Sequence, residues 1–450
     1  MTETAVVVGG GLAGIAAALR LADAGRQVVL LESRPRLGGA AFSFRRGELS
    51  IDNGQHVFLR CCDSYRWLLQ RLGAEDQIVL QRRLDIPVLR GDGRSARLSR
   101  LPGIPAPAHL SGALLRYSLL SPSDRLRAVR GALALRRLDP GDPELDDRRL
   151  GDFLREHGQN AATISALWAI IATATLNLSP DDASLALAAK VFRTGLLDNA
   201  AAADVGYSAV PLGEVHSVAA RRALDAAGVE VLLGHRVQSI EPGATVHAHG
   251  RSGVRTWDTD TVVLAIPPEA ALASTPALAQ TSVARAAGLG AAPIVNVHVV
   301  YDRTVTELAF AAAVDSPVQW FFDRTAASGL QRGQYLAITV SAADDFVDVP
   351  SQTLIRRFVA GLSQLLPDAA DAEVVDAFVT RERRATFRQA AGTAVMRPGC
   401  RSGLAGIWLA GSWTATGWPD TMESAVRSAI TATDDALGLP SSRRGQVLAA

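Results

Sequence analysis

The chain has 450 residues and a net charge of +1, and 48% of its residues are hydrophobic while 20% are charged. This composition predicts a globular protein with a sizeable core, and the length favours two or three domains. The near-neutral charge gives no sign of a nucleic-acid partner.

The N-terminus predicts a nucleotide-binding strand–loop–helix unit. It lacks the basic segment and cleavage site of a signal peptide, so we expect a cytoplasmic protein. A short apolar strand over 5–8 leads into a GxGxxG spacing and a helix over 12–24. In such a motif the glycines allow a tight turn and the close approach of a pyrophosphate, which the first N–H groups of the helix bind. The predicted cofactor contacts are Gly9, Gly11, Leu12, Ala13 and Gly14.

The next segment supplies an acid at the expected spacing. A second strand over 27–31 ends at Glu32, whose carboxylate lies about 20 residues beyond the glycine motif, where an acid can bond ribose hydroxyls. A loop follows from Ser33 and ends in Gly38 and Gly39. Strand, glycines, helix, strand and acid occur in order, which favours a bound dinucleotide over an empty glycine-rich loop. The sequence has no second fingerprint of this kind, so we expect no separate NAD(P)H-binding unit.

The three cysteines indicate no metal site. Cys61 and Cys62 are adjacent, and no CxxC motif or His/Cys cluster surrounds them. Core positions are therefore the better interpretation, and we expect no bound metal.

Two uncharged stretches bear on membrane association. Over 159–180 the sequence is only mildly apolar and carries Thr, Ser and Asn, which favours a buried helix over a membrane span. Over 101–115 three prolines oppose a regular helix, and an apolar tail continues to Leu120. Two interpretations of this second stretch stay open: a surface loop, and a peripheral contact with the inner face of the cell membrane.

The middle of the chain predicts further elements of the nucleotide-binding fold. A helix over 215–227 is followed by strands over 229–233, 236–240 and 261–266. We therefore expect a discontinuous, Rossmann-like α/β domain made of residues 1–80, 206–270 and 391–437. Residues 81–205 and 271–390 should form an inserted α+β substrate domain, and residues 438–450 a flexible tail.

The C-terminal part predicts one more strand–loop–helix unit. A strand over 407–410 leads to Gly411 and Ser412, and a helix begins at Thr421 and Met422. The positive end of this helix would stabilise negative charge on a reduced cofactor ring.

Four further motifs carry a resemblance to a known family. They are DNGQH at 52–56, NLSPDDASLALAAK at 177–190, VPLGE at 210–214 and WPDTMES at 418–424. Together with the glycine motif they resemble the bacterial hydroxysqualene dehydroxylases, within the superfamily of flavin amine oxidases and phytoene desaturases. The resemblance covers nearly the whole chain. It implies an amine-oxidase-like fold, an FAD cofactor, and the reduction of hydroxysqualene to squalene and water in squalene and hopanoid biosynthesis.

The resemblance also implies FAD contacts beyond the glycine motif. The segment from Ser33 to Gly39 extends the FAD-binding start, Asn53 and Gly54 run beside the flavin, and the backbone at Val237 meets the adenine side. Gly411, Ser412, Thr421 and Met422 would complete the site. The chain departs from the family at two positions, because the family usually has Arg where Ala40 stands and an acid where Ser412 stands.

Several residues are candidates for the proton donor of such a reaction. His56 is the first choice, and Asp52 is either a second donor or the group that orients His56. Asp420 and Glu423 could also serve or could simply favour the helix N-terminus, while His298 is more simply explained as a core residue. The aromatic run 320–322 could shape an apolar pocket, although core packing is favoured.

Three rival functions are consistent with the same motifs. A flavin amine oxidase would usually place a lysine on the strand that matches 293–300, which has Asn296 and His298 instead. A carotenoid or phytoene desaturase would use a similar long apolar isoprenoid but run the flavin oxidatively. A non-catalytic FAD-binding scaffold would bind the cofactor alone. The sequence indicates neither the electron donor for FAD nor the oligomeric state.

Overall fold

The computed structural model describes residues 4–241 and 243–439. Most of the tail predicted to be flexible, residues 440–450, lies outside the described residues.

The strands of the described chain are short and spread along its whole length. They are β1 (Thr4–Val8), β2 (Gln27–Glu32), β3 (Ser43–Arg46), β4 (Leu49–Asp52), β5 (Val57–Leu59), β6 (Ile78–Leu80), β7 (Asp85–Arg90), β8 (Ser95–Ser99), β9 (Val205–Ser208), β10 (Glu230–Leu233), β11 (Arg236–Glu241), β12 (Thr245–Gly250), β13 (Gly253–Asp258), β14 (Thr261–Leu264), β15 (Ala292–Tyr301), β16 (Phe310–Val314), β17 (Trp320–Asp323), β18 (Gln334–Val340), β19 (Val374–Thr386) and β20 (Ile407–Leu409).

The α-helices alternate with these strands. They are α1 (Leu12–Asp23), α2 (Asp63–Arg71), α3 (Ser111–Leu115), α4 (Pro122–Arg137), α5 (Leu150–Glu156), α6 (Ala161–Thr163), α7 (Ala169–Leu176), α8 (Leu185–Phe192), α9 (Ala220–Ala226), α10 (Pro268–Ser274), α11 (Val283–Ala286), α12 (Thr325–Ser328), α13 (Ser351–Leu365), α14 (Pro367–Ala370) and α15 (Met422–Ala436). Turns of π-helix at Ile164–Trp168, Arg193–Leu197 and Glu214–Ala219 join or precede some of them.

A five-stranded parallel sheet organises the nucleotide-binding part, in the order β10-β2-β1-β14-β20. Its three central strands β2, β1 and β14 are apolar and almost entirely buried, as parallel strands covered on both faces should be. Helices α1 and α15 pack against each other on one face, and an apolar cluster that includes Val246 and Leu278 covers the other. Ligands of open α/β sheets bind outside the carboxyl ends of the strands, which is where the glycine loop lies.

A seven-stranded sheet forms the second large layer, in the order β19-β15-β18-β17-β16-β7-β8. It brings β7 and β8 together with strands from 292–386, so both segments assigned to the substrate domain share one sheet. A smaller antiparallel sheet, β5-β9-β6, joins residues 57–80 to residues 205–208. The domain bounds themselves stay a prediction.

The two uncharged stretches fold differently from each other. Residues 161–176 are helical and end at Asn177, whose φ of 51° is left-handed, and Trp168 and Ala172 are buried. The prolines are expected to keep residues 101–115 from forming a regular helix. This is wrong for the last five residues, because α3 forms at Ser111–Leu115, after Pro107. Among the described helices, none is long and apolar enough to cross a membrane.

Candidate active site

The glycine loop is packed so closely that side chains are excluded from it. A Cβ at Gly14 would lie 1.7 Å from the carbonyl oxygen of Gly9, and a Cβ at Gly9 would lie 2.4 Å from that of Ala265. Gly38 donates its N–H to the Gly10 carbonyl (2.9 Å). A Cβ at Gly39 would lie 2.8 Å from the Gly11 Cα. The loop that begins at Ser33 therefore lies directly on the glycine loop.

The start of α1 is open for an anion. Its N-cap is Gly11, which has no side chain to cap the first turn, whereas Ser121 caps α4 and Thr421 caps α15. The N–H groups of Leu12 and Ala13 therefore keep their bonding capacity for a ligand. The bare backbone and the uncapped helix end fit the pyrophosphate of FAD.

Glu32 occupies the position predicted for the ribose-binding acid. The residue is buried, and its Oε2 accepts the Gly10 N–H at 2.6 Å. Its Oε1 accepts the Arg34 N–H at 2.7 Å and the Ser33 hydroxyl at 3.3 Å. A carboxylate offers about four lone-pair sites, so a ribose hydroxyl can bind beside these donors. The bond to Gly10 also means that Glu32 holds the glycine loop in place.

Arg36 lies close to the position where the family usually has an arginine and this chain has Ala40. Its Nη1 donates to the Gly39 carbonyl at 3.1 Å, and its guanidinium carbon lies 3.6 Å from the centre of the Phe42 ring. Burial, followed by repulsion from Arg34, lowers the pKa of Arg36. The sequence motifs gave no reason to single out this residue.

Asn53 forms hydrogen bonds within the protein through both its side chain and its backbone carbonyl. Its Nδ2 donates to the Ala40 carbonyl (2.9 Å) and to Glu382 Oε1 (3.0 Å), and its Oδ1 accepts the Phe42 N–H (3.0 Å). Its carbonyl accepts Asn296 Nδ2 at 3.0 Å. These bonds fix the segment that includes Gly54, and the predicted contacts of both residues with the flavin stay a prediction.

Asp52 forms a buried ion pair that the sequence analysis missed. Arg324 Nη2 donates to Asp52 Oδ2 at 2.8 Å, and the two side chains are only 9% and 4% exposed. Asp52 Oδ1 accepts the Ser43 hydroxyl (2.7 Å) and the Leu212 N–H (2.9 Å). These three donors hold the Asp52 carboxylate, and no hydrogen bond from it to His56 occurs among the described residues, so the expectation that Asp52 orients His56 stays a prediction.

His56 lies beside this ion pair, at a small polar cavity of about 10 Å³ whose walls also include Gln55, Tyr207 and Arg324. Its Nδ1 lies 3.1 Å from the Gly54 carbonyl, which can only accept, so Nδ1 carries the hydrogen and Nε2 is an acceptor. Burial lowers the pKa of His56 and outweighs the opposing effect of the Gly54 bond. The buried Nε2 of Gln55 has no partner within the described chain, so it can bind a ligand or a water.

His298 is a core residue, as the simpler interpretation expects. Its Nδ1 lies 2.6 Å from the Tyr335 hydroxyl, its Nε2 lies 3.0 Å from Thr380 Oγ1, and its ring stacks on Phe378. Burial lowers the pKa of His298 to about 3. Both ring nitrogens are satisfied, which leaves neither for substrate.

The closing segment forms a tight cap over the end of the parallel sheet. Gly411, with a φ of 140°, donates its N–H to Ser428 Oγ at 2.7 Å, and Ser412 offers its carbonyl to Arg397 (2.9 Å). Thr421 Oγ1 caps α15 by accepting the Ser424 N–H, which leaves Met422 as the first helical residue. This places the helix N-terminus where the sequence predicts it.

The two acids near this helix differ in their surroundings. Glu423 is fully buried and accepts the Tyr65 N–H (2.8 Å) and Arg427 Nη2 (2.7 Å), which gives it a structural role. Asp420 accepts the Phe387 N–H at 2.7 Å, and burial raises its pKa.

The remaining predicted residues lie at several places in the fold, and the adenine contact of Val237 stays a prediction. Val237 lies on β11, where the pairing with β12 is irregular, and it packs against the apolar cluster under the parallel sheet. In the run 320–322, Phe321 is a core residue and Phe322 lines the cavity beside His56. Cys62 packs in the core beneath α1.

Comparisons with known proteins agree with this geometry. The family model of flavin containing amine oxidoreductases matches residues 12–437. A hydroxysqualene dehydroxylase of Rhodopseudomonas palustris is 29% identical, with 96% of this chain and 98% of that protein covered. A probable zeta-carotene desaturase of Synechococcus elongatus is 24% identical, with 94% and 96% covered. The structure of a putrescine oxidase has a TM-score of 0.68 at 19% identity, with 97% of this chain and 99% of that chain covered.

These matches confirm the α/β, amine-oxidase-like fold and the resemblance to hydroxysqualene dehydroxylases that the motifs indicated. The family match begins at Leu12, directly after the first three glycines of the loop, and spans the ion-paired cavity and the closing helix. The chain therefore belongs to the flavin containing amine oxidoreductase family and is an FAD-dependent oxidoreductase.

Proposed function

We propose that the protein reduces hydroxysqualene to squalene. The observation that carries this proposal is the full-length similarity to three hydroxysqualene dehydroxylases, which are 25–29% identical over at least 96% of the chain. In this reaction the carbon–oxygen bond of the allylic alcohol breaks, a proton joins the departing hydroxyl to give water, and a hydride forms the new carbon–hydrogen bond. That hydride would come from FAD when the cofactor is bound and reduced.

The chain's own residues would hold the cofactor at two places. The glycine loop and the open first turn of α1 would bind the pyrophosphate, with Glu32 on the ribose. The N-terminus of α15, at Thr421 and Met422, would favour the negative charge of the reduced ring. Arg36 would add a positive charge beside Ala40.

The cavity beside His56 offers a place for the hydroxyl to be removed. Neutral His56 presents Nε2 as an acceptor, and Gln55 presents an amide donor that has no partner among the described residues. Both can bond a substrate hydroxyl or a water. Because its pKa is lowered, His56 carries a proton only in a minority of molecules at pH 7, but that protonated form is a stronger acid than an ordinary histidine. We propose that it delivers the proton to the departing oxygen.

The rival functions are less well supported. The strand matching the lysine-bearing strand of amine oxidases is β15, and its Asn296 is bound to the Asn53 carbonyl. Lys190, the single lysine of the sequence, lies elsewhere, with Nζ 4.9 Å from the centre of the Trp418 ring. Oxidation of a carotenoid is the second candidate, because relatives named zeta-carotene desaturases match at 24–25% identity over nearly the whole chain.

An anaerobic single-turnover experiment tests the proposal. The enzyme is reduced with dithionite and mixed with hydroxysqualene, while flavin absorbance and extracted products are followed. Reoxidation of the flavin with a stoichiometric amount of squalene is the expected result. Flavin that stays reduced would contradict the proposal, and reduction of the oxidised enzyme by zeta-carotene would favour the desaturase instead. Reduced enzyme without substrate is the control.

A further inference from the structure

An apolar groove runs along the outer face of α4. Its volume is about 540 Å³, and its walls include Leu126, Val129, Leu133 and Phe153. The first three residues are spaced by three and four positions and so share one helix face. They are 69%, 39% and 45% exposed. A contiguous exposed stripe of large apolar side chains marks an interaction surface in a folded protein.

The opposite face of α4 holds the helix firmly in the fold. Ala128, Gly131 and Leu135 are buried there. A Cβ at Gly131 would lie 2.9 Å from both Gln159 and Trp168, so the helix packs against the helical segment that follows residue 160 without a gap. The outer apolar stripe is therefore presented by a fixed helix.

Helix α4 itself carries a net positive charge. Over residues 122–137 the sequence has five arginines and one aspartate. Arg130 and Arg137 line the groove, and neither forms an ion pair or hydrogen bond with any residue that the structure describes. On the neighbouring α5, by contrast, Arg155 is paired with Asp152. The unpaired guanidinium groups beside the stripe are available for anionic groups of a ligand.

The segment before α4 extends this surface. Leu115, at the end of α3, is 71% exposed. Arg125 donates to the carbonyls of Leu115, Tyr117 and Leu120, which ties the end of α3 to the first turn of α4. The backbone of Leu115 therefore lies beside the first turn of α4.

We infer that the outer face of α4, together with Leu115, docks on an anionic phospholipid bilayer. Apolar side chains with arginines beside them are the composition of a helix that lies in the headgroup region, where acyl chains cover the leucines and lipid phosphates meet the guanidinium groups. A second copy of the chain suits the surface less well, because a symmetric contact would bring the two arginine-rich faces together. The inference goes beyond the proposed reaction and does not depend on which isoprenoid is the substrate.

Vesicle flotation of the full-length, FAD-loaded protein tests this inference. We expect binding to vesicles that contain phosphatidylglycerol, weaker binding to pure phosphatidylcholine, and release as salt is raised. The double variant L126D/L133D should bind at least about tenfold more weakly, because two leucines no longer enter the apolar layer. The double variant R130E/R137E should lose the preference for phosphatidylglycerol.

Matched controls separate docking from general effects of charge. Val254 is 57% exposed on β13, and Arg332 is exposed in the turn before β18, so V254D and R332E make the same kinds of change away from the groove. They should bind vesicles as the wild type does, and all variants should keep the wild-type flavin spectrum. The inference is overturned if the wild type does not float with vesicles, or if the controls lose as much binding. It is likewise overturned if the wild type is a dimer that the L126D/L133D substitutions convert to a monomer, while the wild type shows no binding to vesicles.

Discussion

At the scale of single residues, the ion pair of Asp52 and Arg324 is the strongest electrostatic feature beside the cavity. Both side chains are almost fully buried, and Arg324 also donates to the carbonyls of Ser208 (2.6 Å) and Val210 (3.1 Å). The pair therefore joins β4, β9 and the segment after β17 at one point. Among the described residues no carboxylate is hydrogen-bonded to His56, and the charges of Asp52 and Glu382 raise its pKa against the larger effect of burial.

Breaking this pair from one side should be costly. R324M leaves the Asp52 carboxylate buried without its cation, and we expect a loss of about 3–5 kcal/mol in the free energy of unfolding. Urea unfolding measures it. The matched control is R303M, which removes an exposed partner of Asp302 and should cost less than about 1 kcal/mol. Equal losses in the two variants would mean that the buried pair contributes no more than a surface pair.

The activity should depend on pH through His56. Burial lowers its pKa below the ordinary 6.5, so at neutral pH the protonated form is a small fraction that grows as the pH falls. If this form supplies the proton, kcat/KM should rise by up to about tenfold per pH unit on lowering the pH and level off below the pKa. The profile of kcat/KM against pH measures this.

Two variants show whether the profile belongs to His56. H56Q should have lower activity and no such rise, while H249Q, at an exposed histidine of β12, should keep the wild-type profile. If H56Q retains the full rise, another group delivers the proton, and Asp420, whose pKa is raised by burial, would be the next to replace.

At the scale of elements, the unit β1–loop–α1–β2 could be predicted closely from the sequence. The pattern of apolar residues, the spacing of the glycines and the acid at residue 32 are local signals. In the structure β2 ends at Glu32, as expected. The cavity could not be predicted in the same way. It is built by Asp52, Tyr207 and Arg324, which lie far apart in sequence and meet only through tertiary packing. Arg324 carried no signal of its own, because arginine is common throughout this chain.

The segment from residue 101 to 137 shows a second limit of local reasoning. The prolines of its first part are a valid helix-breaking signal, but they act only up to Pro107, and α3 begins four residues later. The sequence of the arginine-rich α4 does not indicate an interaction surface, because its leucines alternate with charged residues as they do in an ordinary surface helix. Its exposed apolar face became visible only when the fold fixed which side is buried.

The glycine loop allows a sharp test of an element. In G14A the added Cβ would have to push the Gly9 carbonyl away, and we expect the ratio of bound FAD to protein to fall at least about tenfold. Flavin absorbance of the purified protein measures this ratio. The control is G25A, since Gly25 follows the same helix with a φ of 83° and nothing near its Cβ position. G25A can lose some stability but should keep its FAD.

At the scale of the whole molecule, the predicted cofactor site is assembled from distant parts of the chain. The glycine loop and Glu32 come from the first forty residues, Val237 from the middle, and Thr421 and Met422 from the last helix that the structure describes. In the fold, α1 and α15 pack directly on each other. A ligand that touches all these parts binds the native state and not the unfolded chain, so it should stabilise the protein as one unit.

This arrangement predicts different effects of FAD and FMN on thermal stability. Removal of FAD should lower the Tm, and FAD at about one hundred times its Kd should restore about 2.7 kcal/mol of stability. FMN carries the flavin ring but lacks the adenosine half, so it offers no adenosine ribose to Glu32. At the same concentration it should therefore restore much less stability. The E32Q variant should narrow this difference, because its side chain keeps its size but loses the charge that attracts ribose hydroxyls and the Gly10 N–H. Equal stabilisation by both flavins would show instead that the ring alone holds the cofactor, and that the glycine loop and Glu32 serve mainly to pack β1, α1 and β2 together.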